Sequence, residues 1–84
     1  MELELNDIRK KIDKIDLEIL KLFKKRFQLA LMTKGLKKKV SAPTREKQVI
    51  SNVAKKAKQL GLNTTFVKLI FNITISESKR IQRS

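Results

Sequence analysis

Residues 5–22 read LNDIRKKIDKIDLEILKL. Within this stretch Leu5, Ile8, Ile12, Ile15, Ile19 and Leu22 recur at alternating spacings of three and four. Residues so spaced line one side of an α-helix and form the narrow apolar seam by which long helices pair. A second apolar row of Leu20, Phe23, Phe27 and Leu31 widens that face. The pattern predicts one long helix from about Asn6 to Lys39, with Asn6 or Asp7 as its cap. Gly35 is its weak point, because glycine is a poor helix former.

The run Val40-Ser41-Ala42-Pro43 breaks the pattern, and Pro43 suits the first turn of a new helix. That second helix is expected over about Thr44 to Leu60, with Val49, Ile50, Val53, Ala57 and Leu60 on one face and Gly61 as its stop. Asn63 or Thr64 then caps a third helix carrying Phe66, Val67, Ile70, Phe71, Ile73 and Ile81. With two Gly and one Pro in 84 residues, turn-rich β architectures are disfavoured. The expectation is an all-α fold of one long and two shorter helices, with residues 1–84 forming a single domain. A helix as long as the first is a rod of roughly 50 Å. A compact domain of this size has a radius of gyration of only about 12 Å. Two short helices cannot cover such a rod, so the chain is expected to form a homodimer in which the long helices pack together.

Composition narrows the chemistry. There is no Cys and no His, which removes thiol nucleophiles, imidazole acid–base chemistry and the usual zinc ligands. Neither a metal nor a cofactor is expected. The N-terminus is acidic without an apolar signal core, and no run approaches a membrane span. A soluble cytoplasmic protein follows as the expectation. The net charge of +13 favours anionic partners. Only five of the 21 basic residues are Arg. Where Lys is the default cation, each Arg is a candidate for bidentate carboxylate recognition, which Lys does poorly.

Arg26 stands on the extended seam, where core is expected. A guanidinium there needs an anion, supplied either by an internal salt bridge or by a ligand carboxylate, unless the side chain snorkels to water. Lys37 follows eleven residues later, about three helical turns, and would share the face of Arg26. Arg9 is about 100° away from that face. Within one subunit it cannot reach the same ligand, but a partner's Arg9 can if the long helices run antiparallel; otherwise it pairs with Asp13 or Asp16. On the third helix Thr74, Ser78 and Gln82 follow at steps of four between Ile70 and Ile81, the mark of a polar-lined cavity or of a solvated helix end. Arg45-Glu46 adds a cation and an acceptor.

Taken together these positions resemble the AroQ-type chorismate mutases over nearly the whole chain. The likeness runs through Ile8-Arg9-Lys10-Lys11-Ile12-Asp13-Lys14-Ile15-Asp16, Ile19 to Arg26, Leu29-Ala30, Arg45-Glu46, Glu77-Ser78 and Gln82. The resemblance implies an intertwined dimer with two sites that rearranges the dicarboxylate chorismate to prephenate, in phenylalanine and tyrosine biosynthesis. It implies that Arg26 and the partner's Arg9 bind the substrate carboxylates, and that Lys37 and Gln82 contact the ether oxygen. Arg45 and Ser78 match further substrate positions, and Glu46 matches the acceptor of the ring hydroxyl. Two departures stand out. Ala42 occupies the place where the family often has Asp, and Lys34-Gly35 inverts the family's Gly-Lys order. The ether-contacting Lys is thus assigned by spacing among Lys37, Lys38 and Lys39.

The implied reaction is unimolecular and pericyclic. It needs a restricted substrate conformer and fixed cations beside the ether oxygen, not a nucleophile. The rival readings are a basic helical nucleic-acid-binding dimer, supported by the charge and the Lys38-Lys39 and Lys55-Lys56 clusters, and a weakly active regulatory mutase-like domain acting with a partner enzyme of aromatic biosynthesis. The spread of the cations and the scarcity of aromatics weigh against nucleic acid.

Overall fold

The computed structural model describes residues 2–36 and 42–83. It contains α1 (Glu2–Met32), α2 (Pro43–Gln59) and α3 (Thr64–Arg83), with no strand among the described residues. This is the all-α, three-helix arrangement that the apolar spacing calls for.

The boundaries of α1 differ from expectation at both ends. It starts at Glu2, so Asn6 and Asp7 lie inside the helix instead of capping it. The residues ahead of Asn6 are strong helix formers and carry the helix through. At the other end α1 stops at Met32, short of Lys39. The chain leaves the helix at Thr33, whose Oγ1 donates to the Ala30 carbonyl at 2.7 Å, two residues ahead of the weak helix former Gly35. The N–H groups of Thr33, Lys34 and Leu36 then bond to Ala30, Leu31 and Thr33, three residues back, which tightens the chain into turns.

The α2 boundaries follow the turn chemistry closely. Pro43 opens the helix at its first position, one residue earlier than expected. Ala42 makes no side-chain cap, and Glu46 compensates by accepting the Ala42 N–H on Oε2 at 3.1 Å, as a capping-box acid does but from one position later. At the far end Gly61 takes φ of 72°, in the left-handed region. Leu62 donates to the Ala57 carbonyl and Gly61 to that of Lys58, the paired bonds of a Schellman turn. Asn63 caps α3, its Oδ1 accepting the Phe66 N–H at 2.9 Å.

Through this turn α2 and α3 form an antiparallel hairpin, and α3 also packs on α1. The contacts from α1 to α3 join Arg26 to Ser78 and Ala30 to Gln82, both across 52 residues. Equal separations mean that α1 and α3 run side by side in the same direction. Only the later part of α1 takes part. Every described residue from Glu4 to Leu22 is exposed, with Ile12 at 50%. The chain spans 56 × 27 × 14 Å with a radius of gyration of 16.2 Å, well beyond the ~12 Å of a compact domain this size. Ala57, 2% exposed, is the only buried apolar residue among those described.

Two substitutions separate the roles of backbone and space in the hairpin. Gly61→Ala meets no atom within 4 Å, so its cost is the left-handed backbone alone, ~1–2 kcal/mol. Ala57→Leu leaves the backbone relaxed but overpacks the α2–α3 contact, at about 1–3 kcal/mol. Both are read as lowered midpoints in urea unfolding, and an unshifted midpoint for either rejects the corresponding account.

Candidate active site

Where α1, α2 and α3 converge, a cleft of about 310 Å³ opens. Its polar wall is built by Arg26, Arg45, Glu46, Ser78, Lys79 and Gln82, over an apolar floor of Leu29, Val49 and Ile75. Five of the residues singled out in the sequence therefore meet in one place: Arg26, Arg45, Glu46, Ser78 and Gln82. This is the low end of the size of small-molecule sites, which commonly combine apolar walls with a few convergent polar groups.

Each helix contributes for a local reason. On α3, Ser78 and Gln82 are four residues apart and share the face turned to α1. They are 7% and 4% exposed, so this face of the helix is not solvated. The Ser78 hydroxyl donates to the Thr74 carbonyl at 3.1 Å and accepts from Nη1 of Arg26 at 3.0 Å. The third member of the row behaves differently. Thr74 is buried, bonds back to the Ile70 carbonyl, and lies in a neighbouring apolar groove with Leu20, Phe23 and Phe27. The expected three-residue polar lining is thus a two-residue one.

Arg26 is part-buried, and its recorded partner is a neutral hydroxyl. Among the described residues no carboxylate lies within ion-pair distance of it. Burial first, and the positive charge of nearby Arg45 second, lower its pKa from the usual arginine value. Arg45 donates to Gln48 Oε1 at 2.7 Å. Two guanidiniums that repel each other across a cleft form a ready place for an anion, and planar forks favour carboxylates.

Gln82 spends its donor on the scaffold. Nε2 donates to the Ala30 carbonyl at 2.8 Å and to Thr33 Oγ1 at 3.3 Å. Its Oε1 is buried without a hydrogen-bond partner. An unpaired buried acceptor is costly and attracts a donor.

The remaining expected residues stand elsewhere. Arg9 lies roughly 25 Å earlier along the α1 axis, on the exposed half of the helix, and does not line the cleft. Lys37, Lys38 and Lys39 lie outside the described residues. The argument that Lys37 shares a face with Arg26 assumed an unbroken helix, and α1 ends at Met32. Lys79 lines the cleft but was not singled out in the sequence, being one lysine among many. Its position beside Ser78, facing the start of α2, is the signal that distinguishes it. No group of three or more potential metal ligands occurs among the described residues. None of the helices in those residues is long and apolar enough to cross a membrane.

The chain matches the family described as chorismate mutase type II over residues 8–83. It is also similar to a protein named chorismate mutase from Methanocaldococcus jannaschii. The two are 34% identical over 84 residues, covering 95% of this chain and 85% of the relative. No solved structure matches the chain.

Because Arg26 has no carboxylate of its own, its loss is expected to affect ligands more than folding. In Arg26→Met the unfolding free energy, read by urea titration, stays within about 1 kcal/mol of the parent, whereas losing one partner of a buried ion pair costs ~3–5 kcal/mol. A loss in the latter range identifies Arg26 as a structural charge.

Proposed function

The chain belongs to the chorismate mutase type II family and is an isomerase of that class; we propose that two copies form its working unit and that the cleft holds chorismate while it rearranges to prephenate. The observation that carries the site assignment is Arg26, part-buried beside the exposed Arg45, with no carboxylate in ion-pair contact with either among the described residues. A dicarboxylate supplies the missing negative charge.

The dimer rests on α1. Its seam residues are exposed in the single chain, Ile8, Ile12 and Ile15 each at 50% or more. Exposed apolar surface of this extent marks an association site. Pairing two such helices antiparallel carries Arg9 of one copy toward the cleft of the other. In this reading Arg26 and the partner's Arg9 clamp the two carboxylates, Arg45 adds a third guanidinium, and Ser78 holds Arg26 in place. Glu46 accepts the ring hydroxyl. The acidic contact absent at Ala42 is replaced only in its backbone part, since Glu46 takes the Ala42 N–H.

The reaction breaks the ether C–O bond as a new C–C bond forms within the same molecule. The clamp holds the compact conformer in which the carbons meet. Lys37 and Gln82 would stabilise negative charge growing on the ether oxygen. For Gln82 this requires the amide to turn, so that Nε2 takes the direction now held by the unpartnered Oε1. The chain's lack of Cys and His costs such a mechanism nothing. A soluble protein working in the cytoplasm fits this reading. Neither the nucleic-acid-binding reading nor that of a regulatory mutase-like domain is favoured by the family or the relative.

The direct test is to follow chorismate loss spectroscopically with the purified protein and to identify the product; chorismate left intact rejects the proposal. Lys37→Ala and Gln82→Ala are each expected to lower kcat by roughly 10²–10³ with helicity retained, the usual effect of losing one preorganised donor. Unchanged turnover in both removes their assignment. Arg9→Ala and Arg26→Ala are each expected to be inactive, and mixing them to restore part of the activity, because one hybrid site keeps both arginines. No recovery on mixing rules out a site shared between copies.

A further inference from the structure

Lys79 has no role in the scheme above, yet it stands in the cleft. Its Nζ lies 2.8 Å from Oε1 of Glu46, with the two side chains 26% and 27% exposed. The other carboxylate oxygen accepts the Ala42 N–H at 3.1 Å. Glu46 is therefore held at both oxygens, one by α3 and one by the backbone ahead of α2. Among the described residues the charged groups lining the cleft are Arg26 from α1, Arg45 and Glu46 from α2, and Lys79 from α3, so that Glu46 is the only acid in that set.

That arrangement poses a problem. Arginine pairs with carboxylate through two parallel hydrogen bonds, a stronger and more specific match than lysine offers. A carboxylate sharing a small cleft with two guanidiniums is their natural partner. Were Glu46 to turn to them, it would fill the place of an anionic ligand and cancel the charge that attracts one. Instead Glu46 pairs with Lys79, across the α2–α3 hairpin.

We propose that Lys79 is a positioning residue whose ammonium holds Glu46 against the hairpin and so keeps Arg26 and Arg45 open for the substrate carboxylates. This rests on the chorismate mutase reading of the cleft and adds a residue to it. Lys79 acts through Glu46 and need not touch the substrate. The device works by competition: remove the lysine and the protein supplies its own inhibitor, a tethered carboxylate at high effective concentration.

The test is the affinity for prephenate, measured by isothermal titration calorimetry on variants whose helicity is checked by circular dichroism. Lys79→Met, or Lys79→Gln where Met impairs folding, is expected to weaken binding about tenfold, within the range of coupling between groups in contact. Lys79→Arg, which keeps the charge, is expected to stay within about threefold of the parent. The deciding variant is the double one, Lys79→Met with Glu46→Gln. With no carboxylate left to occupy the arginines, it is expected to bind more tightly than Lys79→Met alone and within about threefold of Glu46→Gln. A plain structural bridge, or a direct contact from Lys79 to substrate, gives a double variant that binds no better than Lys79→Met. That result overturns the proposal, as does unchanged binding in Lys79→Met. If the parent neither consumes chorismate nor binds prephenate, the functional reading falls and this inference with it. A parent that binds while the Lys79 variants match it overturns the inference alone.

Discussion

Two hydrogen bonds fix the relation on which the rest of the molecule depends. Arg26 reaches Ser78 and Gln82 reaches Ala30, each across 52 residues, and together they lock α1 and α3 side by side in one register. A rotation of either helix by one residue turns its polar groups about 100° away from the partner. The groove shared by Leu20, Phe23, Phe27 and Ile73 lies on the same contact, and hydrophobic attraction has no direction. The polar pair adds direction to a contact that apolar packing also supports, and the cleft forms in the register that both share.

The same polar groups bind the fold and bear the charge of the site. Ser78 satisfies part of Arg26, and Gln82 ties down the end of α1, where the chain leaves the helix at Thr33. What remains unsatisfied is telling: a part-buried guanidinium beside a second cation. Proteins tolerate such a deficit where a ligand makes it good. Lys79 and Glu46 extend this economy, because a pair that neutralises itself leaves the arginines their charge.

Much of this was legible in the sequence, and the failures lie where a residue's place depends on what another helix does. Spacing revealed three helices, since the period of Ile and Leu on α1 is strict. Turn chemistry located Pro43, Gly61 and Asn63, whose backbone preferences act within a few residues. Arg26, Ser78 and Gln82 stood out as polar residues on apolar stripes. Periodicity, however, presumes that a helix continues. The helix α1 ends at Met32, and with it the argument that carried Lys37, which lies outside the described residues, onto the face of Arg26. Thr74 shared the spacing of Ser78 but fell on the other side of the α1 contact. Lys79 was hidden by composition, because a partnered lysine looks like any other until the opposite helix is in view. The pairing of two copies and the part of Arg9 rest together on the exposed apolar face of α1.

Gln82 stands in the last turn of α3, one residue before Arg83. Its amide bonds to both Ala30 and Thr33, where α1 gives way to turns. One wall of the cleft and the end of α1 therefore form a single mechanical unit: neither shifts without carrying the other.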